Sequence, residues 1–190
     1  MFSSKAALIV IDVQKGLDDP HYGDRNNPGA EQNMNRLLAA WRKSGRPVVH
    51  IQHLATNPQS KLRPELSGCE IKDEVKPIHG ERIFQKEAHS AFIGTGLEAY
   101  LRKSGYSVLV LMGLTIEHCV SSTARMADDL GFETYVISDA TAAFDAQGPD
   151  GTIVSAEVMH TVSLASLHQE FVQVLTTEAL LADIENPAVT

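Results

Sequence analysis

Cysteine is scarce in this chain, and its first residues carry no export signal. Only 2 of the 190 residues are Cys, namely Cys69 and Cys119. Two cysteines do not build the multi-bridge framework that holds small secreted domains. The first apolar stretch runs directly into Asp12 without the small-residue cleavage site of a signal peptide. We therefore expect a cytoplasmic protein with two free thiols.

Excess positive charge and long apolar runs are also lacking. The chain has 16 Lys and Arg against 24 Asp and Glu, which gives a formal net charge of −8. Because nucleic acids and anionic membranes attract basic surfaces, we expect neither as a partner. No apolar run reaches the ~18 residues that a membrane-spanning helix needs.

Short apolar runs alternate with amphipathic stretches along the chain. The composition, with 43% hydrophobic and 21% charged residues, is typical of a globular protein and predicts one domain over residues 1–190. Periodicity and turn residues predict helices over 28–43, 96–103, 119–130, 153–167 and 178–184. Strands are predicted near 6–11, 47–52, 82–85, 107–112, 133–137 and 171–175.

The continuous apolar character of these strands indicates burial on both faces, as in parallel sheets. The sequence therefore predicts an α/β fold: a doubly wound, Rossmann-like, mainly parallel six-stranded sheet with helices on both faces. Residues 54–81 are different, because they carry several Pro and Gly and little periodicity. A loop of this length is usually functional or a lid.

Three reactive side chains follow three different predicted strands. Asp12 ends the first strand, Lys86 follows the third, and Cys119 comes shortly after the fourth. In an open α/β sheet, ligands bind beyond the carboxyl ends of the strands. The pattern therefore predicts that a carboxylate, an ammonium and a thiol meet at one edge of the sheet.

These three groups are the components of a thiol hydrolase. We expect Cys119 in the first turn of its helix, with Thr115 as N-cap, so that the helix N-terminus and Lys86 favour the nucleophilic thiolate. Asp12 would take the thiol proton and return it to a leaving amine. Amides of the first turn would bind the oxyanion.

Each residue alone has an ordinary structural explanation. A lone Cys is more often a small buried hydrophobe than a nucleophile. An Asp after a strand is often a turn residue, and a lone Lys is usually a solvated surface charge. Only the joint placement of Asp12, Lys86 and Cys119 favours catalysis.

Three segments resemble the isochorismatase-like cysteine hydrolase family. They are ALIVIDVQ, with Asp12; FQKEAHSAFIGTGLEAYL, similar to the lysine motif K-x-x-x-S-A-F, with Lys86; and LVLMGLTIEHCVSSTARMADDLGFETYVISDATAAF, similar to the nucleophile segment G-x-x-T/A-x-x-C-V, with Cys119. The resemblance extends from about residue 7 to about residue 182. That family includes nicotinamidases, N-carbamoylsarcosine amidases and related amide hydrolases.

The resemblance implies a catalytic triad of Asp12, Lys86 and Cys119. It also implies a cis peptide bond between Leu114 and Thr115, with the backbone amides of Thr115 and Cys119 as the oxyanion hole. The implied reaction is attack of the thiolate on a carbonyl of a small-molecule substrate, loss of ammonia or an amine, and hydrolysis of the thioester. Relatives form dimers or tetramers, so the resemblance implies a homo-oligomer.

The resemblance to nicotinamidases stops at their metal site. Those relatives carry a D-x-H…H pattern in the loop after the second strand, whereas this chain reads HIQHLATNPQSKLRPEL there, with no such Asp. We therefore expect no catalytic metal and no cofactor. Side chains expected to line the substrate pocket are Gln14, Leu17, His53, Phe92, Leu114 and His118, with Phe92 as readily a core residue.

Two other functions stay open at this point. Family members that cleave the vinyl ether of isochorismate need no cysteine, so Cys119 favours hydrolysis of an amide-type C–N bond over that reaction. A non-catalytic, small-ligand-binding member of the fold would lack one of the triad residues, and none is missing. A redox-sensing thiol is disfavoured because the chain has no C-x-x-C motif.

Overall fold

A six-stranded parallel sheet forms the centre of the protein. In this computed structural model, which describes residues 5–185, the sheet order is β3-β2-β1-β4-β5-β8, and every neighbouring pair is parallel. The strands are β1 (Ala6–Ile11), β2 (Val48–His53), β3 (Arg82–Lys86), β4 (Val108–Leu114), β5 (Glu133–Ala142) and β8 (Gln173–Leu175). This arrangement confirms the predicted doubly wound α/β fold.

Helices cover both faces of this sheet. They are α1 (Ala30–Lys43), α2 (Leu97–Ser104), α3 (Ser121–Asp129), α4 (Ala156–Leu167) and α5 (Thr177–Glu185). A short antiparallel pair, β6 (Ala146–Gln147) and β7 (Ile153–Val154), was not predicted from the sequence. The helix expected from residue 153 therefore begins at Ala156, after β7 and the N-cap Ser155.

Alternate residues of β1 supply two separate hydrophobic cores. Leu8 and Val10 pack on the side of α1 and α5, whereas Ile9 and Ile11 pack on the side of α2, α3 and α4. All six residues of the strand are buried. Full burial of one large aliphatic side chain contributes ~1.5–3 kcal/mol. This two-sided burial explains the continuous apolar run in the sequence.

The order of the strands produces a switch point between β1 and β4. The chain fills one half of the sheet with β1, β2 and β3, and then crosses to β4 to build the other half. Crevices for ligands open at such a point, beyond the carboxyl ends of the strands. Asp12 follows β1, and the segment that carries Cys119 follows β4, so both lie at this crevice.

Gly113 allows β1 and β4 to approach closely at that end of the sheet. It pairs with Ile11 in the register, and its φ is 135°. A Cβ atom at this position would overlap the backbone carbonyl oxygen of Ile11. Asp12, next to Ile11, has a φ of 51°, in the left-handed region that Asp tolerates better than most residues. Both chain segments therefore have a positive φ angle at the point where they reach the crevice.

Residues 54–81 form a long but well-anchored segment. It contains two short 3₁₀ turns, Ser67–Cys69 and Asp73–Val75. Lys72 Nζ lies 2.7 Å from Glu31 Oε1, and Arg25 Nη1 lies 2.6 Å from the same oxygen. These two cations hold the pKa of Glu31 down at about 2, against the effect of its burial. The cluster fastens the long segment to the start of α1.

Candidate active site

The Lys86 ammonium is the centre of the site. It lies at the end of β3 with its side chain inaccessible to solvent. Its Nζ is 2.6 Å from Asp12 Oδ2 and 3.3 Å from Cys119 Sγ. Two further acceptors are His53 Nδ1 and the Ala88 carbonyl oxygen, each 3.1 Å away. The structure therefore brings the three residues singled out from the sequence together around one buried cation.

Cys119 lies in a π-helical turn, Ile116–Val120, directly ahead of α3. We expected Cys119 in the first turn of the α-helix. It lies instead in a wider, π-helical turn just before that helix. Thr115 occupies the N-cap position, but its side chain makes no capping hydrogen bond; its Oγ1 is 3.1 Å from His118 Nδ1. The peptide bond between Leu114 and Thr115 is cis.

Burial governs the protonation of the nucleophile and its neighbour. Burial raises the pKa of Asp12, against the opposing effect of Lys86. Burial and the nearby Asp12 carboxylate raise the pKa of Cys119 to about 12, although Lys86 acts in the other direction. Lys86 thus favours the thiolate, as expected from the sequence, whereas burial and Asp12 favour the protonated thiol and outweigh it. These directions favour a protonated thiol in the resting site.

A cavity of about 260 Å³ opens above this cluster. Leu17, His53, Leu114 and His118 line it, as expected from the sequence. Burial, the Lys86 charge and His89 lower the pKa of His53 to about 4, so its imidazole is neutral at pH 7. The cavity volume lies just below the usual range of ligand sites in proteins, ~300–1,000 Å³.

Two residues expected on the cavity wall lie elsewhere. Gln14 is fully buried and accepts a hydrogen bond from the His53 amide at 2.9 Å while it donates to the His53 carbonyl oxygen at 2.9 Å. The Gln14 amide group also donates a hydrogen bond to the Cys69 carbonyl oxygen. Gln14 therefore holds the backbone of His53 in place and does not line the cavity. Phe92 packs in the core against Phe132, with ring centroids 5.8 Å apart.

Sequence reasoning missed several residues that line the cavity. They come from the lysine motif, the long segment, the turn before α3, the segment from the end of β5 to β6, and α4: His89, Ser60, Leu62, Glu117, Phe144, Asp145, Ala146 and Met159. His89 carried the clearest signal, because it lies within the lysine motif three residues after Lys86. Met159 carried none, since it projects from the middle of a helix far along the chain.

One group of residues has the donor atoms that a metal ion would need. Ligand atoms of Asp12, His53 and Cys119 all lie within 4.8 Å of one another. However, Lys86 Nζ contacts a side-chain atom of each of these three residues. A metal ion would have to take the place of this ammonium or bear its repulsion. The donor set therefore fits a lysine-organised site better than a metal centre.

The family follows from a match over nearly the whole chain. A family model described as the isochorismatase domain matches residues 6–179. The chain belongs to the isochorismatase family. Members of the isochorismatase family are hydrolases, so the expectation of a hydrolase from the three motifs is confirmed. Within residues 5–185, no helix combines the length and apolarity needed to cross a bilayer.

Relatives in the isochorismatase family are similar over most of their length. The isochorismatase family protein YrdC of Bacillus subtilis (strain 168) is 47% identical over 179 residues, covering 94% of this chain and 96% of YrdC. The ureidoacrylate amidohydrolase RutB of Variovorax paradoxus (strain S110) is 29% identical, covering 74% of this chain and 70% of RutB. The crystal structure of an isochorismatase-family protein from Chromobacterium violaceum ATCC 12472 is 42% identical with a TM-score of 0.94, covering 98% of this chain and 96% of that chain.

Proposed function

We propose that this chain is a cysteine hydrolase that cleaves an amide-type C–N bond of a small molecule through a thioester on Cys119. One observation carries the proposal: a single buried ammonium, Lys86 Nζ, contacts both the Asp12 carboxylate at 2.6 Å and the Cys119 sulfur at 3.3 Å. A structural ion pair needs no thiol beside it. A nucleophile needs both a base and a charge partner within contact distance.

Proton transfer within this cluster creates the nucleophile. As Cys119 attacks, its proton moves to Asp12, and the sulfur becomes the anion that Lys86 neutralises. The net charge of the buried cluster is the same before and after the transfer, so no uncompensated charge arises in the protein interior. The raised pKa of the Asp12 carboxyl suits it to hold a proton at this stage. Two coupled groups therefore share one proton.

The acyl transfer then follows from the surrounding groups. A carbon–sulfur bond forms, the carbonyl oxygen becomes negative, and the backbone amides of Thr115 and Cys119 at the turn before α3 are proposed to bind it. Asp12 returns the proton to the departing nitrogen, which leaves as ammonia or an amine. Water completes the reaction by releasing a carboxylic acid and restoring the thiol.

The size of the cavity limits the substrate to a small molecule. Its wall combines apolar side chains such as Leu17 and Leu114 with the neutral imidazole of His53. The relative RutB is a ureidoacrylate amidohydrolase, which supports a C–N bond as the target. The arrangement of Lys86 between the possible metal ligands supports a reaction without a catalytic metal.

The chain is also proposed to assemble into a dimer or tetramer. The apolar side chains of Ile153 in β7 and of Val158 and Val162, four residues apart on α4, are 61%, 50% and 60% exposed. Exposed apolar side chains are typical of surfaces that pair when they form a patch. Light scattering of the purified protein measures the assembly, and a strictly monomeric mass over the micromolar range would contradict it.

Ammonia release from a panel of primary amides and acyl-ureas tests the proposed reaction. We expect the wild type to hydrolyse at least one of them, and Cys119→Ala to lose that activity. A covalent adduct on Cys119, found by intact-mass measurement during turnover, would identify the acyl group. Hydrolysis that persists in Cys119→Ala would refute the thioester route. Cleavage of a vinyl ether instead of any amide would favour the alternative reaction.

A further inference from the structure

The Cys119 sulfur has a second nitrogen beside it, in addition to that of Lys86. His89 Nδ1 lies 3.8 Å from Cys119 Sγ. The two nitrogens differ in environment, because Lys86 is buried, whereas His89 is exposed at the mouth of the cavity. His89 was not among the residues singled out from the sequence. It lies on the cavity wall together with the nucleophile.

Hydrolysis of a thioester requires two proton transfers that involve a water molecule from outside the protein. The attacking water must lose a proton, and the sulfur must gain one as the carbon–sulfur bond breaks. Asp12 is 1% exposed, and its Oδ2 is held by the ammonium of Lys86. Water enters from the open mouth of the cavity, where His89 is the imidazole in contact with the sulfur.

We propose that His89 is a catalytic residue for the second half of the reaction, in which it activates the water that hydrolyses the thioester on Cys119. This inference rests on the proposed thioester route. His89 Nδ1 accepts a proton from water as the oxygen of that water bonds to the acyl carbon. The carbon–sulfur bond then breaks, and His89 passes the same proton to the sulfur. The products are the carboxylic acid and the free thiol.

The surroundings of His89 keep its ring in place and neutral. Its imidazole stacks between two others, with centroids 6.4 Å from His53 and 6.0 Å from His118. Burial, His118 and Lys86 all lower the pKa of His89. A neutral imidazole has a free nitrogen lone pair, so the ring is ready to accept a proton near pH 7. Glu87, its exposed neighbour in the chain, contributes no contact to the sulfur in the described structure.

The two halves of the reaction are separable with p-nitrophenyl acetate. This activated ester acetylates a reactive thiol and releases p-nitrophenolate, and intact mass measures the acetyl group that remains on the protein. Cys69 is buried, and peptide mapping distinguishes it from Cys119. The proteins compared are the wild type, His89→Gln, His89→Ala and, as a matched control, His79→Gln, which changes an exposed imidazole in the turn before β3.

We expect the acetylation rate of His89→Gln to stay within about twofold of the wild type. Decay of the acetyl-enzyme should slow by about 10²-fold or more, the usual effect of losing a general base. Added imidazole should accelerate the decay in His89→Ala, where the ring has left a space, but not in His89→Gln. His79→Gln should behave like the wild type in both steps.

Two results would overturn the inference alone. The first is normal decay of the acetyl-enzyme in both His89 variants. The second is equal slowing of acetylation and decay without rescue by imidazole, which would indicate a merely structural ring. A different result would overturn the proposed function as well: a wild type in which no acetyl group forms on Cys119, or a Cys119→Ala variant that turns over the ester at the wild-type rate.

Discussion

Replacing Asp12 by Asn should make the Cys119 thiol more acidic while it slows catalysis strongly. Burial and the Asp12 carboxylate raise the pKa of this thiol to about 12 in the wild type. In Asp12→Asn the side chain keeps its shape but loses its charge. The buried Lys86 ammonium then lacks its anion, and Cys119 is the group within contact distance that can supply one.

The size of the change follows from the distance between the two atoms. A thiolate 3.3 Å from the Lys86 ammonium gains about 5 kcal/mol at an effective dielectric constant of about 20. At ~1.4 kcal/mol per pKa unit, this attraction corresponds to about 3–4 units. Because this attraction also acts in the wild type, the change comes from the lost Asp12 charge. An anion within 4.8 Å of the sulfur disfavours a thiolate by about 3 kcal/mol or more at the same dielectric constant, so we expect the pKa of Cys119 to fall by about 2–4 units. The fraction of thiolate at pH 7 rises accordingly.

The rate of alkylation by iodoacetamide as a function of pH measures this pKa. We expect the midpoint to move from about 12 in the wild type to about 8–10 in Asp12→Asn. Hydrolysis of the amide should nevertheless fall by about 10²–10⁴, because the base and the acid for the leaving nitrogen are gone. Asp129→Asn, the same change at an exposed position of α3, serves as the control. Background from Cys69 is measured in Asp12→Asn/Cys119→Ser.

An alkylation midpoint in Asp12→Asn that equals or exceeds that of the wild type would refute this reasoning. It would mean that Lys86 does not stabilise the thiolate, either because the ammonium loses its own proton or because it turns away from the sulfur. The proposed charge exchange between Asp12 and Cys119 would then have no physical basis.

Three further predictions concern the packing and the charges around the site. Gly113→Ala should lower the melting temperature and the activity together, because its Cβ would push against Ile11; unchanged values in thermal melts and assays would contradict the close approach of β1 and β4. Glu31, with a pKa of about 2 in the fold, should add up to about 3 kcal/mol of stability above pH 4.5, which is lost as pH falls from about 4.5 to 2. Urea unfolding of Glu31→Gln between pH 2 and 7 should therefore show a flatter acid limb than the wild type, and parallel curves would count against the prediction. Phe92→Leu should cost about 1–2 kcal/mol of stability with KM nearly unchanged, since Phe92 packs on Phe132 in the core. A large rise in KM at unchanged stability would instead indicate that Phe92 lines the cavity.

Local patterns in the sequence were sufficient for the fold and for the centre of the site. The apolar runs at β1 and β4 reflect burial on both faces of a sheet, and this burial is visible residue by residue. Parallel strands bring their carboxyl ends to one edge, so Asp12, Lys86 and Cys119 were predicted to meet before any distance was known. The helix before Leu167 was predicted too long, because β7 is apolar and short and has no periodicity of its own.

The walls of the site depended on contacts that no local pattern encodes. Gln14 follows Asp12 closely and was expected in the cavity, but the backbone of His53 and the Cys69 carbonyl from the long segment hold it behind the wall. Met159 reaches the cavity from α4 because the helix packs across the turn that carries the nucleophile. Such placements result from packing between distant segments.

The amino-acid sequence by itself determined which chemical groups are present and at which strand ends they stand, because hydrophobic periodicity and covalent geometry act over a few residues. Only the tertiary structure decided their protonation and their neighbours. The pKa of Cys119 is raised since burial and Asp12 outweigh Lys86, and His89 stands beside the sulfur since the end of β3 and the turn after β4 converge. Both effects depend on distances of a few ångströms between residues about 30 to 110 positions apart in the chain, and folding alone sets those distances.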